Sequence, residues 1–110
     1  MSRERYSLEV MEVREEGRVR VRLLGELDLS GVPTVTSRLR GLRERRETVV
    51  LDLDELGFID VSGLRALLVA ADGALGEGLP FTVTRGSDAV RRLLALVGVD
   101  GQLPLDGSAT

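Results

Sequence analysis

Carboxylates, hydroxyls and guanidinium groups supply nearly all the polar side-chain chemistry of this sequence. It contains no histidine and no cysteine, and all 15 of its basic residues are arginine. A neutral-pH imidazole base, a Ser-His-Asp triad, a thiolate metal site, a disulfide, a Schiff-base lysine and a P-loop lysine are therefore all excluded by composition. Within what remains, one segment stands out: Leu56-Gly57-Phe58-Ile59-Asp60-Val61-Ser62-Gly63-Leu64. An apolar run ends in an aspartate, a hydroxyl and a glycine, and passes straight into a strongly amphipathic stretch. Asp60 is placed to cap a helix by accepting from the amide of Ser62 or Gly63. Free amides at such a helix start favour an anion. An ordinary capped helix accounts for the same residues.

Val49 to Leu56 contains a second pattern, an apolar run ending in Asp52-Leu53-Asp54. It resembles the first motif of haloacid-dehalogenase-type phosphatases, which would make Asp52 a nucleophile and Asp54 an acid/base around magnesium. The resemblance stops there. Leu56 stands where that family places a threonine, the supporting lysine is missing, and the chain after the motif is short. Asp52 and Asp54 are expected to be solvated or to cap a strand-end loop. The arginines Arg38, Arg40, Arg43, Arg45 and Arg46 could be taken for a nucleic-acid footprint. The chain carries a net charge of −3, however, and no aromatic residue interleaves there to stack on bases. A solvated helix face, partly neutralised by Glu44 and Glu47, is the expectation. No G-x-G-x-x-G or P-loop spacing supports nucleotide binding.

The elements that must position these groups follow from periodicity. Tyr6 to Val13 reads as a strand, Glu15-Glu16-Gly17 as a turn, and Arg18 to Leu23 as a strand alternating strictly between arginine and aliphatic residues. The two should pair as an antiparallel hairpin with Val19, Val21 and Leu23 inward. Gly25 to Pro33 reads as a loop leading into a first helix, with Ser30 or Gly31 as cap and Val35, Leu39 and Leu42 as its buried stripe. Gly41 weakens that helix by about 1 kcal/mol relative to alanine.

Thr48 to Leu53 is a short apolar run of the kind found in central parallel strands. A second helix is expected from about Ser62 to Leu75, with Leu64, Leu67, Leu68, Ala71 and Leu75 on its buried face and Gly76-Glu77-Gly78 ending it. Leu79 to Thr84 is the next strand. Ser87 caps a third helix carrying Val90, Leu93, Leu94 and Val97, which Gly98 closes. Leu103-Pro104-Leu105 is a candidate edge strand. The expectation is one α/β domain over residues 1–110, with an ordered core over about 6–105. It has a small mixed sheet of four or five strands, built from an N-terminal hairpin and β-α-β units, packed with about three helices. No apolar run is long enough to span a membrane and no signal region opens the chain, so a cytoplasmic protein without direct membrane insertion is expected. No cofactor is called for.

Three segments in order resemble the STAS family, as found in anti-sigma factor antagonists. They are Gly25-Glu26-Leu27-Asp28; Val49 to Leu53 followed by Phe58 to Leu64; and Val97 to Pro104. The resemblance implies a protein-binding regulator and not an enzyme. Its implied partner is an anti-sigma factor serine kinase of histidine-kinase-like ATPase fold. That kinase phosphorylates a serine at the start of the second helix to break the complex, and a phosphatase resets it. The implied contact surface joins Asp28, Leu29, Ser30 and Thr34 to Asp60, Val61, Ser62, Gly63, Leu64 and Arg65. In it Asp60 caps and orients, and Gly63 permits close approach. One departure matters. The family places its phosphorylated hydroxyl immediately after the aspartate, where this chain has Val61. Ser62 is the remaining hydroxyl, so the switch is expected to be altered or missing. An unphosphorylated STAS scaffold in a lipid- or anion-transport complex is the alternative that the same resemblance allows.

Overall fold

The computed structural model describes residues 8–98. Strands β1 (Leu8–Glu15) and β2 (Arg18–Leu27) form the antiparallel hairpin, with Val10 opposite Leu23 and Glu15 opposite Arg18. Gly17 turns the corner with φ of 76°. Among the described residues, the first strand runs two residues past its expected end at Val13. Leu103-Pro104-Leu105 lies outside the described residues.

The second strand runs further than its alternation suggested. Gly25 and Glu26 break the pattern, and Gly25 adopts φ of 93°, yet the strand continues to Leu27. That extension lets β2 carry two successive parallel partners on one edge. Strand β3 (Val49–Asp52) pairs along Val19–Arg22, and β4 (Leu56–Ile59) pairs along Gly25–Leu27, with a register shift between Gly25 and Glu26. A left-handed residue at such an irregularity is readily supplied by glycine, which has no Cβ to clash. Strand β5 (Phe81–Val83) joins β3 in parallel, completing a five-stranded mixed sheet. The separate strand at Leu56–Ile59 was not legible as such. Its apolar run simply appeared to continue from Leu53.

Helices α1 (Val32–Glu44), α2 (Val61–Gly76) and α3 (Asp88–Val97) share one apolar core with the sheet. Val19, Val21 and Leu23 of β2 are buried in it, as alternation predicts, beside Val35, Leu39, Leu42, Leu64, Leu67, Val90 and Leu94. Leu75 is exposed and Ala74 is buried in its place. Two helices end in the same hydrogen-bond pattern. At α2, Gly78 takes φ of 77° and the Leu79 N–H returns to the Ala74 carbonyl. At α1, Arg46 takes φ of 62° and the Glu47 N–H returns to the Leu42 carbonyl. Glycine is the usual residue there. Arg46 holds the position while its guanidinium donates to the carboxylate and the backbone carbonyl of Glu77, at 3.3 and 3.2 Å.

The arginines of β2 do not simply stand in solvent. Arg20 donates to Glu15 at 2.6 Å and Asp52 at 3.1 Å, and Arg22 donates to Glu55 at 2.6 Å. Some arginines of α1 and of the turn after it are likewise paired across elements. Arg38 meets Glu12 of β1, Arg43 and Arg46 meet Glu77, and Glu47 is held by Arg14. Glu47 acts on the neighbouring Arg45 by charge, as expected, but its direct partner is Arg14.

Two glycines of α2 allow close packing in different ways. A Cβ at Gly63 would fall 2.7 Å from Leu27 Cγ and 2.9 Å from the Leu27 carbonyl oxygen, so the first turn of α2 presses directly on β2. At Gly73 the neighbour is the far end of the flexible Arg43 side chain. Gly63→Ala should therefore cost about 1–3 kcal/mol, the usual range for overpacking against a fixed neighbour. Gly73→Ala should stay within about 1 kcal/mol of the parent protein, because Arg43 can swing aside and alanine favours the helix. Urea unfolding of both variants checks the contrast. Equal midpoints would show that the backbone of β2 yields at Leu27.

Candidate functional site

Leu27 ends β2 and sets the site. The Asp60 N–H donates to its carbonyl at 3.2 Å, which ties the end of β4 and the start of α2 to the chain entering the Asp28 turn. Asp28 then caps a single 3-10 turn, Leu29–Gly31. One of its carboxylate oxygens accepts from the Ser30 N–H at 3.0 Å and from the Ser30 hydroxyl at 2.6 Å. The hydroxyl above all, then the backbone amides of Ser30 and Gly31, hold the Asp28 carboxyl below its ordinary value. A depressed carboxylate pKa means that this turn keeps its charge, and its cap, down to pH values below the usual aspartate range. Gly31, one of the two caps expected, is the N-cap of α1 and makes no side-chain hydrogen bond there, while Asp28 caps only the 3-10 turn before it.

Asp60 caps α2 as its position predicts. Its carboxylate accepts from the Gly63 N–H at 2.9 Å, one of the two amides expected. Helix α2 begins at Val61, one residue earlier than the expected start. Val61 is 52% exposed and Leu29, across from it, is 69% exposed. Ser62 is half-buried and Arg65 is exposed. Leu29, Val61, Ser62 and Arg65 line one groove of about 640 Å³ between α1 and α2. The structure therefore brings together the two halves of the surface singled out in the sequence. It does not bring all of them to the surface. Gly63 and Leu64 are buried in the core, and Gly63 permits close approach of β2 and not of a partner. Asp28 and Asp60 are half-buried and work on backbone amides, while Thr34 is exposed on α1.

Sequence reasoning missed the groove itself. Its walls include Thr36 and Arg40 of α1 and Ala66, Val69 and Ala70 of α2, and Val49 and Phe81 of the sheet also line it. The available signal was the run of small residues Ser62, Ala66, Ala70 and Ala74 at four-residue spacing, which share one face of a helix.

The carboxylates of the phosphatase-like pattern are engaged elsewhere. Asp52 accepts from Arg20 and from the Asp54 N–H, and Asp54 accepts from the Gly86 N–H at 3.3 Å. They brace the turn between β3 and β4, as the strand-end capping expectation had it. Ser87 caps α3 as predicted, accepting from the Val90 N–H at 3.3 Å while its hydroxyl donates to the Leu56 carbonyl at 2.6 Å. Among the described residues, no cluster of three or more potential metal-ligating carboxylates occurs. No helix there is long and apolar enough to cross a membrane.

Comparison with known proteins gives a consistent result. A solved anti-sigma factor antagonist from Mycobacterium paratuberculosis is similar to this chain at 26% identity. The match covers 92% of this chain and 86% of that one, with a TM-score of 0.76. The anti-sigma factor antagonist SpoIIAA in its unphosphorylated form superposes with a TM-score of 0.70 at 18% identity, over 91% of this chain and 88% of that one. The phosphorylated form of Bacillus SpoIIAA gives 0.67 at 18% identity, over 91% of each chain. At that identity the two SpoIIAA structures speak to the fold alone. No curated protein matches the chain. The family described as "Mlab, STAS domain" matches residues 10–105, which takes in most of β1, all of β2, the Asp28 turn and the Asp60 cap, and the chain belongs to that STAS family.

Proposed function

We propose that this protein is an anti-sigma factor antagonist that docks on a histidine-kinase-like anti-sigma factor, and that its phosphoserine switch is altered or missing. The observation that carries the reading is the pairing of Leu29 and Val61. Two exposed aliphatic side chains line one groove, one in the 3-10 turn after β2 and one at the first residue of α2. Exposed aliphatic groups held together by fixed backbone suit a protein contact better than a reaction. The similarity to an anti-sigma factor antagonist over 92% of the chain supports the same partner class.

Val61 also supports the altered switch. It occupies the position that follows the capping aspartate, where the family's acceptor hydroxyl is expected, and it has no oxygen to phosphorylate. Ser62 is next in sequence but half-buried along the groove wall. A phosphatase would then have no substrate at Val61. The same valine favours a second reading, a STAS scaffold subunit of a lipid- or anion-transport complex that uses this surface without phosphorylation. Binding without chemistry is common to both.

Two outcomes are expected. Val61→Asp places a fixed negative charge in the centre of the apolar contact and should weaken docking on the anti-sigma factor by about tenfold or more, whereas Ser62→Ala should leave it unchanged. Surface plasmon resonance with the purified partner reads both, and unchanged affinity for Val61→Asp would move the contact elsewhere. Incubated with that kinase and ATP, the parent protein should gain no phosphate by intact mass, while Val61→Ser should gain one. Phosphate on Ser62 of the parent protein would instead place the switch one residue along. Capture of transporter components without any such kinase from the native host would favour the scaffold.

A further inference from the structure

We propose that the groove between α1 and α2 is a binding site for a single long-chain carboxylate, with its chain against the helix walls and sheet residues and its head group at Arg40 and Arg65. The groove is lined largely by apolar side chains, among them Val32, Leu39, Val49, Val69 and Phe81. Its volume of about 640 Å³ falls within the roughly 300–1,000 Å³ of sites that enclose one small ligand. That range suits one acyl chain and is too small for a two-chain phospholipid. Ser62, Ala66, Ala70 and Ala74 line it from α2, so the space exists because that helix carries short side chains where it faces α1. Buried aliphatic neighbours without a filling side chain leave room that an apolar chain can occupy.

Charge selects the head group. Three guanidinium groups, those of Arg40, Arg43 and Arg65, line the groove against one carboxylate, that of Glu47. Glu47 is already matched by a two-pronged contact from Arg14 at 3.0 and 2.8 Å, which holds its carboxyl below the ordinary value and offsets its charge. Arg43 is engaged with Glu77. Arg40 and Arg65 make no ion pair among the described residues. Two arginines without carboxylate partners among the described residues, beside an apolar groove, complement an anionic amphiphile, and a guanidinium fork matches a carboxylate in geometry as well as charge. The site does not depend on the docking reading, since it rests on the groove and not on what the surface contacts.

Isothermal titration with oleate, kept below its micelle concentration, tests this in the full chain. Saturable binding at a single site is expected, with oleyl alcohol bound about tenfold more weakly or worse because it lacks the charge. The double variant Arg40→Glu, Arg65→Glu leaves the core untouched and should lose about tenfold or more for oleate. Ala70→Phe should fill the groove and abolish binding, with circular dichroism confirming that the variant folds. Failure to bind oleate overturns the proposal. So does equal binding of oleate and oleyl alcohol, or undiminished binding by both the arginine and the Ala70 variants, which marks detergent-like adsorption. Chemical shifts at Ala66 and Ala70 that respond to an acidic partner helix but not to oleate would assign the groove to a protein.

Discussion

The architecture of the site depends on how closely α2 can approach the end of β2. Leu27 is the meeting point. Its carbonyl accepts from the Asp60 N–H, and its side chain lies where a Cβ at Gly63 would stand, only 2.7 Å from Cγ. Its methyl groups also lie near Gly31, where a Cβ would be 3.4 Å from Cδ1. Three pieces of backbone therefore converge on one leucine: the strand that ends there, the turn that follows it, and the helix that starts after β4. Because close-packed interiors transmit a displacement instead of absorbing it, the separation of Leu29 from Val61 is set by that contact and not by the flexibility of either loop. A surface made of two loop-like segments is thereby held as rigidly as if it lay on one element.

The two aspartate caps extend the same logic to polar groups. A helix start leaves amides without partners, and a short turn leaves them more exposed still. Asp60 serves α2 and Asp28 serves the 3-10 turn, so each half of the surface is closed off by its own carboxylate. Both carboxylates are engaged, Asp60 by a backbone amide and Asp28 by the amide and hydroxyl of Ser30. What the surface then offers outward is mainly aliphatic, through Leu29 and Val61, with Arg65 beside them. In such a setting a phosphate would be conspicuous, both as charge and as a demand for hydrogen-bond donors that the caps have already used. Val61 removes that option at the residue best exposed to carry it.

Much of this fold was legible in sequence because its strongest signals are local. Strict alternation from Arg18 to Leu23 fixed a strand and its buried face, and Asp60 and Ser87 announced their helices through chemistry that acts within three residues. The failures share a cause of the opposite kind. Gly25 and Glu26 broke the alternation, so the extension of β2 to Leu27 could be known only from its pairing with β4, a strand some thirty residues away. Arg38 and Arg46, read as part of a solvated face, are in fact matched by Glu12 and Glu77, each from another part of the chain. Gly63 was expected to permit close approach within a contact surface, and the group it admits here is the protein's own Leu27 of β2.

The groove was the least legible feature because it is defined by atoms that are missing. A periodicity analysis weighs large apolar residues, and on α2 the two that are fully buried in the core are Leu64 and Leu67. The short side chains of Ser62, Ala66 and Ala70 carry little weight in such an analysis, yet they decide how much space remains between α1 and α2. Alanine in a helix is the best helix former and the poorest filler, so a helix can be stable while leaving the face beside it unfilled. That combination separates the two roles of α2. Its leucine face joins the helix to the sheet, its alanine face keeps a channel open toward α1, and the capped first turn, held at Leu27, presents the channel's mouth beside Val61.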